Sequence, residues 1–105
     1  MIQTLKNILG LGPKVNYKEL ISNGATIIDV RTRGEFSSGN VHGSLNIPLD
    51  QLASAINKMK KKDHPIITCC ASGIRSASAR SLLKSKGFTN VHNGGSWYNV
   101  DKYID

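Results

Sequence analysis

The segment IITCCASGIRS, residues 66–76, most constrains what this chain can fold into. Residues 65–69, which include the apolar beginning of this segment, predict a strand buried on both faces, as in a parallel sheet. A short loop containing Gly73 and Arg75 follows, and residues 76–86 then predict a helix. This order places a cysteine thiol among backbone N–H groups at the positive end of a helix dipole, where a thiol becomes an anionic nucleophile.

The rest of the chain alternates between predicted strands and predicted helices. The strands are predicted at residues 25–30, 44–47, 65–69 and 90–92, and the helices at 17–22, 32–38, 48–61, 76–86 and around Trp97, Tyr98 and Val100. This alternation predicts an α/β fold with a small, mainly parallel sheet and helices on both faces. Sites in such sheets form at the carboxyl ends of the strands, so residues 29–31 and 69–75 are predicted to meet in one cleft.

Local signals fix several helix ends. Thr32 is predicted to be an N-cap, with Glu35 three residues later completing a capping box. Gly87 suits the position after a helix end, where it allows Phe88 to pack on Leu83. The pair at 94–95 is predicted to form a turn between the last strand and the C-terminal helix.

The 105 residues are enough for one compact domain, predicted over residues 14–105. Residues 1–13 are predicted to be a short helix and linker, because Ile2, Leu5 and Ile8 fall on one helical face. This start is too short and polar for a secretory signal, and no segment has the length of a membrane span.

The chain has only two cysteines, Cys69 and Cys70, and they are adjacent, so no disulfide framework is available. Free thiols suit a reducing compartment, and we expect the protein to be cytoplasmic. His42, His64 and His92 have no metal-ligand spacing, and no glycine-rich nucleotide loop is present. We therefore expect neither a metal nor an organic cofactor.

The net charge of +7, from 14 Lys and Arg against 7 Asp and Glu, favours attraction of a small anion or an acidic protein. The densest basic run, residues 58–62, has no interleaved aromatic residues and belongs to no nucleic-acid motif. We therefore interpret this run as a solvated helix end and expect no nucleic-acid partner.

Two cysteines compete for the role of nucleophile. Cys70 begins a Cys-x4-Arg spacing to Arg75, whereas Cys69 begins the Cys-x5-Arg spacing used by protein tyrosine phosphatases. The shorter loop makes a tighter anion site, suited to a single sulfur atom. Strand alternation places Cys69 in a packed layer, where cysteines are inert, and leaves Cys70 as the first residue free to turn into the loop.

The loop CASGIRS, residues 70–76, resembles the active-site loop of rhodanese-like domains, whose common form is Cys-x-x-Gly-x-Arg-Ser. Similar segments flank this loop, and they are IDVRT at 28–32 with Glu35 and Phe36, Gly39, Gly43, NIP at 46–48, GFTNV at 87–91, Gly94, Gly95 and Trp97. The resemblance covers residues 14–100, which is nearly the whole chain.

The resemblance implies sulfurtransferase chemistry. The Cys70 thiolate would take the outer sulfur of thiosulfate or another sulfane donor and pass it, as a persulfide, to cyanide or a thiol, including a thiol of an acceptor protein. Backbone N–H groups of the loop would hold the anionic sulfur and the substrate. The loop residues in question are Ala71, Ser72, Gly73, Ile74, Arg75 and Ser76.

Three charged residues outside the loop, Asp29, Arg31 and Glu35, are predicted to support it. Arg75 is expected either to orient a sulfonate group or to brace the loop through a carboxylate, for which Asp29 and Glu35 are candidates. Arg31 is expected to be a second cation near the entrance, with a solvated surface position as the alternative reading.

Two departures from the family pattern are visible. Asn40 occupies a position where the family usually has histidine, and the stretch 93–97 is short. These departures keep open a sulfur-carrier or protein-interaction module with little thiosulfate activity. A small phosphatase that uses Cys69 and a purely structural interaction domain are further alternatives.

Overall fold

The two most apolar segments of the chain form adjacent strands at the centre of a sheet. The computed structural model describes residues 15–104. Strand β1 is Thr26–Asp29 and β3 is Ile66–Cys70, and they pair in parallel. Strand β2, Leu45–Asn46, lies beside β1, and β4, Val91–Ser96, lies beside β3, which gives the order β2-β1-β3-β4.

Every strand pair in this sheet is parallel, and helices cover both of its faces. The helices are α1 (Tyr17–Ser22), α2 (Arg33–Ser37), α3 (Leu49–Ala55), α4 (Ile74–Ser85) and α5 (Trp97–Asp101), with a 3-10 turn at Ile56–Lys58. The predicted α/β architecture with a parallel sheet is therefore confirmed. The helix predicted within residues 1–13 lies outside the described residues.

Strand alternation divides the core into two layers. On one face, Ile28 and Ile66 pack with Leu52 of α3 and Leu83 of α4. On the other face, the neighbouring residues Ile27 and Ile67 pack with α1 and α5. Because successive side chains of a strand point to opposite faces, each of the two central strands contributes to both layers.

Two local signals predicted at helix ends, the capping box at Thr32 and the glycine at 87, are confirmed. The Thr32 hydroxyl accepts from the Glu35 N–H, and the Glu35 carboxylate accepts from the Thr32 N–H, which is a complete capping box. Gly87 has φ +96°, and the Phe88 N–H donates to the Leu83 carbonyl at 3.1 Å. The left-handed glycine thus ends α4 and places Phe88 in the core.

Several predicted boundaries are wrong. Strand β3 extends through Cys70, α4 begins at Ile74 rather than at residue 76, and β4 runs on to Ser96. The predicted turn at 94–95 is absent because these glycines lie in β4, where Ser96 pairs with Cys70 across a bulge. The helix predicted over 48–61 gives way to the 3-10 turn after Ala55, and Met59 leaves it in an extended conformation and packs on the core.

Candidate active site

Cys70 is the last residue of β3, and its side chain lies on the sheet face that α4 covers. Its Sγ accepts hydrogen bonds from the Gly73 N–H at 3.0 Å and the Ser76 N–H at 3.4 Å, and the Ser76 hydroxyl oxygen is also 3.4 Å away. The first N–H groups of a helix have no partner within the helix. The sulfur therefore caps the positive end of α4.

The six predicted loop residues follow Cys70 in two structural parts. Ala71, Ser72 and Gly73 form the connection, while Ile74, Arg75 and Ser76 form the first turn of α4. Gly73 adopts φ +98°, a left-handed conformation that turns the chain sharply into the helix. A Cβ at this position would lie 3.3 Å from the Cα of Gly95, so glycine also allows the loop to approach β4.

The environment of Cys70 favours the thiolate. Burial raises the pKa of its thiol, but hydrogen bonds from the side chain and backbone of Ser76 and from the backbone of Gly73 and Ser72 more than offset this effect. The pKa of Cys70 therefore lies below its ordinary value. A larger fraction of this thiol is therefore ionised at neutral pH than of an ordinary cysteine.

Cys69 has the opposite environment. It lies on the other sheet face, buried with Ile27, Ile67 and Val100. Burial, together with the nearby charge of Asp29, raises the pKa of its thiol to about 12. Cys69 therefore packs in the core as predicted, and the phosphatase alternative loses its nucleophile because Cys69 does not face the loop.

Arg75 pairs with Glu35. Its Nη1 and Nη2 donate to the two carboxylate oxygens of Glu35 at 2.7 and 2.9 Å, which is a bidentate ion pair. Hydrogen bonds from Arg75 and then from the Thr32 backbone lower the pKa of Glu35 to about 2. Of the two carboxylates considered for bracing the loop, the structure thus places Glu35 on Arg75.

Asp29 instead holds Arg31. The two buried side chains form an ion pair at 2.7 Å, and the remaining guanidinium donors reach the carbonyls of Glu35 and Gly39. The guanidinium also lies 4.8 Å from the ring centroid of Trp97. Arg31 is therefore neither a cation at the entrance nor a solvated surface residue. It is a structural residue that connects Asp29 to α2 and the loop after it. Removing one partner of such a buried pair costs about 3–5 kcal/mol.

Asn40 lies at the surface, where its Nδ2 donates to the Phe36 carbonyl at 2.9 Å beyond the end of α2. In this chain the residue that replaces the usual histidine of the family thus makes a local helix-end contact.

Sequence reasoning missed Asn93. Its Oδ1 accepts from the Ser76 hydroxyl at 2.6 Å, and its Nδ2 donates to the Gly73 carbonyl at 3.2 Å. Asn93 is the third residue of β4 and pairs with Thr68, so the signal that could have found it is a polar residue on the strand beside β3. The expectation that β4 ended at residue 92 removed Asn93 from consideration.

The sulfur is covered in this structure, while the rim of the loop is open. Cys70 has 0% exposure, whereas Ala71 and Ser72 are exposed and Ile74 is 75% exposed. A groove of about 390 Å³ also borders Arg75, and its other lining residues are Val30, Thr32, Pro48, Leu49 and Asp50. The loop must therefore shift before a donor sulfur can touch Cys70.

The described part of the chain contains neither a metal-ligand cluster nor a membrane-spanning helix. Over residues 15–104, no three His, Cys, Asp or Glu side chains are grouped in a way that could hold a metal ion. None of the helices in that range combines the length and the apolar character that crossing a membrane requires.

Residues 14–99 match the family described as Rhodanese-like domain. The chain is 38% identical over 69 residues to the uncharacterized protein YqhL of Bacillus subtilis, covering 66% of this chain and 54% of YqhL. It is 33% identical over 92 residues to the human thiosulfate:glutathione sulfurtransferase, covering 75% and 80% of the two chains.

A solved structure agrees with these matches. The human single-domain sulfurtransferase TSTD1 superposes with a TM-score of 0.71 at 28% sequence identity, covering 84% of this chain and 91% of the human one. The chain spans about half the length of YqhL but most of the length of both human proteins.

Proposed function

This chain belongs to the family of rhodanese-like domains, and on that premise we propose that it is a sulfurtransferase that carries sulfur as a Cys70 persulfide. The observation that carries the proposal is the position of the Cys70 sulfur, which accepts backbone hydrogen bonds from Gly73 and Ser76 at the start of α4. These donors stabilise the negative charge that Sγ carries before it attacks the donor and again when the acceptor has taken the outer sulfur.

The proposed reaction has two displacements. The Cys70 thiolate attacks the outer sulfur of thiosulfate, the S–S bond of the donor breaks, and sulfite leaves with the bonding electron pair. The enzyme then holds the outer sulfur as a Cys70 persulfide anion. In the second step, an acceptor thiolate or cyanide attacks this outer sulfur, the enzyme S–S bond breaks, and the Cys70 thiolate is regenerated.

Arg75 supports this reaction through charge and through loop geometry. Its ion pair with Glu35 holds the first turn of α4 against α2, while the guanidinium remains about one-third exposed beside the groove. An anionic donor that enters the groove can reach the exposed part of this guanidinium, whose charge Glu35 largely offsets.

For the acceptor we propose a small thiol. One relative is named for transfer from thiosulfate to glutathione, and the groove beside Arg75 combines apolar Val30 and Leu49 with polar Thr32 and Asp50. A groove with both characters can take an acceptor that carries charged groups. The reduced cysteine pair further supports a cytoplasmic location as part of this proposal.

The test is the intact mass of the protein after incubation with thiosulfate and removal of excess donor. We expect the unaltered chain and Cys69→Ala to gain the mass of one sulfur atom, and Cys70→Ala to gain none. Glutathione or cyanide added afterwards should remove this mass. No gain in any form would contradict thiosulfate as donor and favour the carrier or interaction module, and loss of the gain in Cys69→Ala alone would contradict Cys70 as the carrier.

A further inference from the structure

A single side chain outside the loop contacts Gly73 and Ser76, two of the residues whose N–H groups point at the Cys70 sulfur. Asn93 of β4 reaches the Gly73 carbonyl with its Nδ2 and the Ser76 hydroxyl with its Oδ1. Gly73 and Ser76 also donate to the sulfur at 3.0 and 3.4 Å. We propose that Asn93 is a positioning residue that fixes both ends of the loop and so keeps these donors on the sulfur. This inference rests on the proposed role of Cys70.

The orientation of the Asn93 amide follows from its neighbours. The Gly95 N–H, which can only donate, lies 2.9 Å from Oδ1, and the Gly73 carbonyl, which can only accept, lies 3.2 Å from Nδ2. A flipped amide would face donor with donor and acceptor with acceptor. Only an amide supplies both groups from one planar end, so the site requires asparagine rather than aspartate or leucine.

Asn93 is itself held on a rigid part of the fold. Its backbone pairs with Thr68 of β3, and its carbonyl accepts from the Tyr17 hydroxyl of α1 at 2.9 Å. Contacts with the central strand β3 and with a helix on the opposite face restrict how far Asn93 can move. A fixed Asn93 therefore restricts Gly73 and Ser76 in turn.

The expected consequence is a change in the acidity of the thiol. Losing the Asn93 amide releases the Gly73 carbonyl and the Ser76 hydroxyl, so the N–H groups at 3.0 and 3.4 Å are no longer held in line with the sulfur. Two ionisable side chains, Cys69 and Arg75, interact electrostatically with Cys70. Neither forms a hydrogen bond with Asn93, and substitution at Asn93 leaves both in place.

The experiment measures how the rate of Cys70 alkylation by iodoacetamide depends on pH, in a Cys69→Ala background so that one thiol is followed. Asn93→Ala is expected to raise the thiol pKa by about one unit, which lowers the ratio of thiolate to thiol at a given pH roughly tenfold. Asn93→Asp fills the same volume but cannot donate to the Gly73 carbonyl and adds a negative charge, so it is also expected to raise the pKa.

Asn90→Ala is the matched control. Asn90 directly precedes β4, and its side chain contacts His92 rather than the loop, at 2.8 Å. The same substitution here is expected to leave the thiol pKa unchanged. Combining Asn93→Ala with Ser76→Ala should raise the pKa by clearly less than the sum of the separate shifts, because part of the Asn93 effect passes through Ser76.

An unchanged or lowered thiol pKa in both Asn93 variants would overturn the inference, and so would fully additive shifts with Ser76→Ala. Alkylation needs no sulfur donor, so the two proposals fail separately. A parent with a depressed thiol pKa that gains no sulfur from thiosulfate contradicts the proposed function alone. A parent that gains sulfur while the Asn93 variants keep its pH profile contradicts the role of Asn93 alone.

Discussion

At the scale of single residues, Glu35 connects two parts of the site with one carboxylate. Its Oε1 accepts from the Thr32 N–H and hydroxyl at 3.1 Å and from Arg75 Nη1 at 2.7 Å. The cap of α2 and the first turn of α4 are thereby joined, although the two segments lie 40 residues apart. The pKa of this carboxyl lies at about 2, so mild acid leaves the carboxylate ionised and the pair with Arg75 in place.

Glu35→Gln separates these two functions. Glutamine keeps an oxygen for the Thr32 contacts but cannot accept two hydrogen bonds from the Arg75 guanidinium, because one of its oxygens is replaced by a donor. We expect kcat/KM for thiosulfate to fall several-fold with little change in Tm.

Glu19→Gln is the control for the change in net charge. Glu19 is exposed on α1, away from the loop, and its substitution by glutamine removes the same negative charge. Steady-state assays should show a decrease for Glu35→Gln only, and equal rates for both variants would count against bracing by the Arg75 pair.

At the scale of elements, the sequence was informative wherever a local signal decided the structure. The buried strands, the capping box at Thr32 and the glycine end of α4 depend on neighbouring residues, and all were predicted. The course of β4 and the role of Asn93 were not predicted, because a glycine pair normally indicates a turn. Here pairing with β3 and packing against α5 override that preference.

Gly94→Ala tests this explanation. A Cβ at Gly94 would lie 2.5 Å from Val100 Cγ2 and 2.9 Å from Ile67 Cγ2, which forces α5 away from the sheet. Overpacking of this kind typically costs about 1–3 kcal/mol. We expect urea unfolding to show a loss of that size.

Gly34→Ala provides the comparison within the same protein. Gly34 lies in α2 with nothing within 4 Å of its added Cβ, so alanine should stabilise the helix by about 0.5–1 kcal/mol. A similar loss of stability in both variants would mean that crowding at Gly94 is not the cause.

At the scale of the whole molecule, the net charge of +7 matters for a small anionic donor. Positive charge distributed over the surface raises the local concentration of anions, and salt screens it. The Debye length falls from about 30 Å at 0.01 M salt to about 8 Å at 0.15 M. We expect kcat/KM for thiosulfate to fall several-fold over this range.

Alkylation of Cys70 by uncharged iodoacetamide provides the reference, since salt should leave its rate within about twofold. Parallel salt titrations of the two reactions distinguish attraction of the anion from a general effect on the thiol. If salt lowered kcat/KM for thiosulfate and the alkylation rate equally, the cause would be a change at the Cys70 sulfur and not attraction of the anion by the net charge.

The placement of the two thiols on opposite faces of one strand determines the possible fates of a loaded protein. Cys69 and Cys70 are the two thiols in this sequence, and the backbone of β3 lies between their side chains. Under the proposed chemistry, the Cys69 thiol cannot attack the Cys70 persulfide. The outer sulfur is therefore not released by formation of a disulfide within the chain. Each chain then holds one sulfur per cycle, and its release waits for a collision with an external acceptor, so the abundance of that acceptor sets how long the cargo is retained.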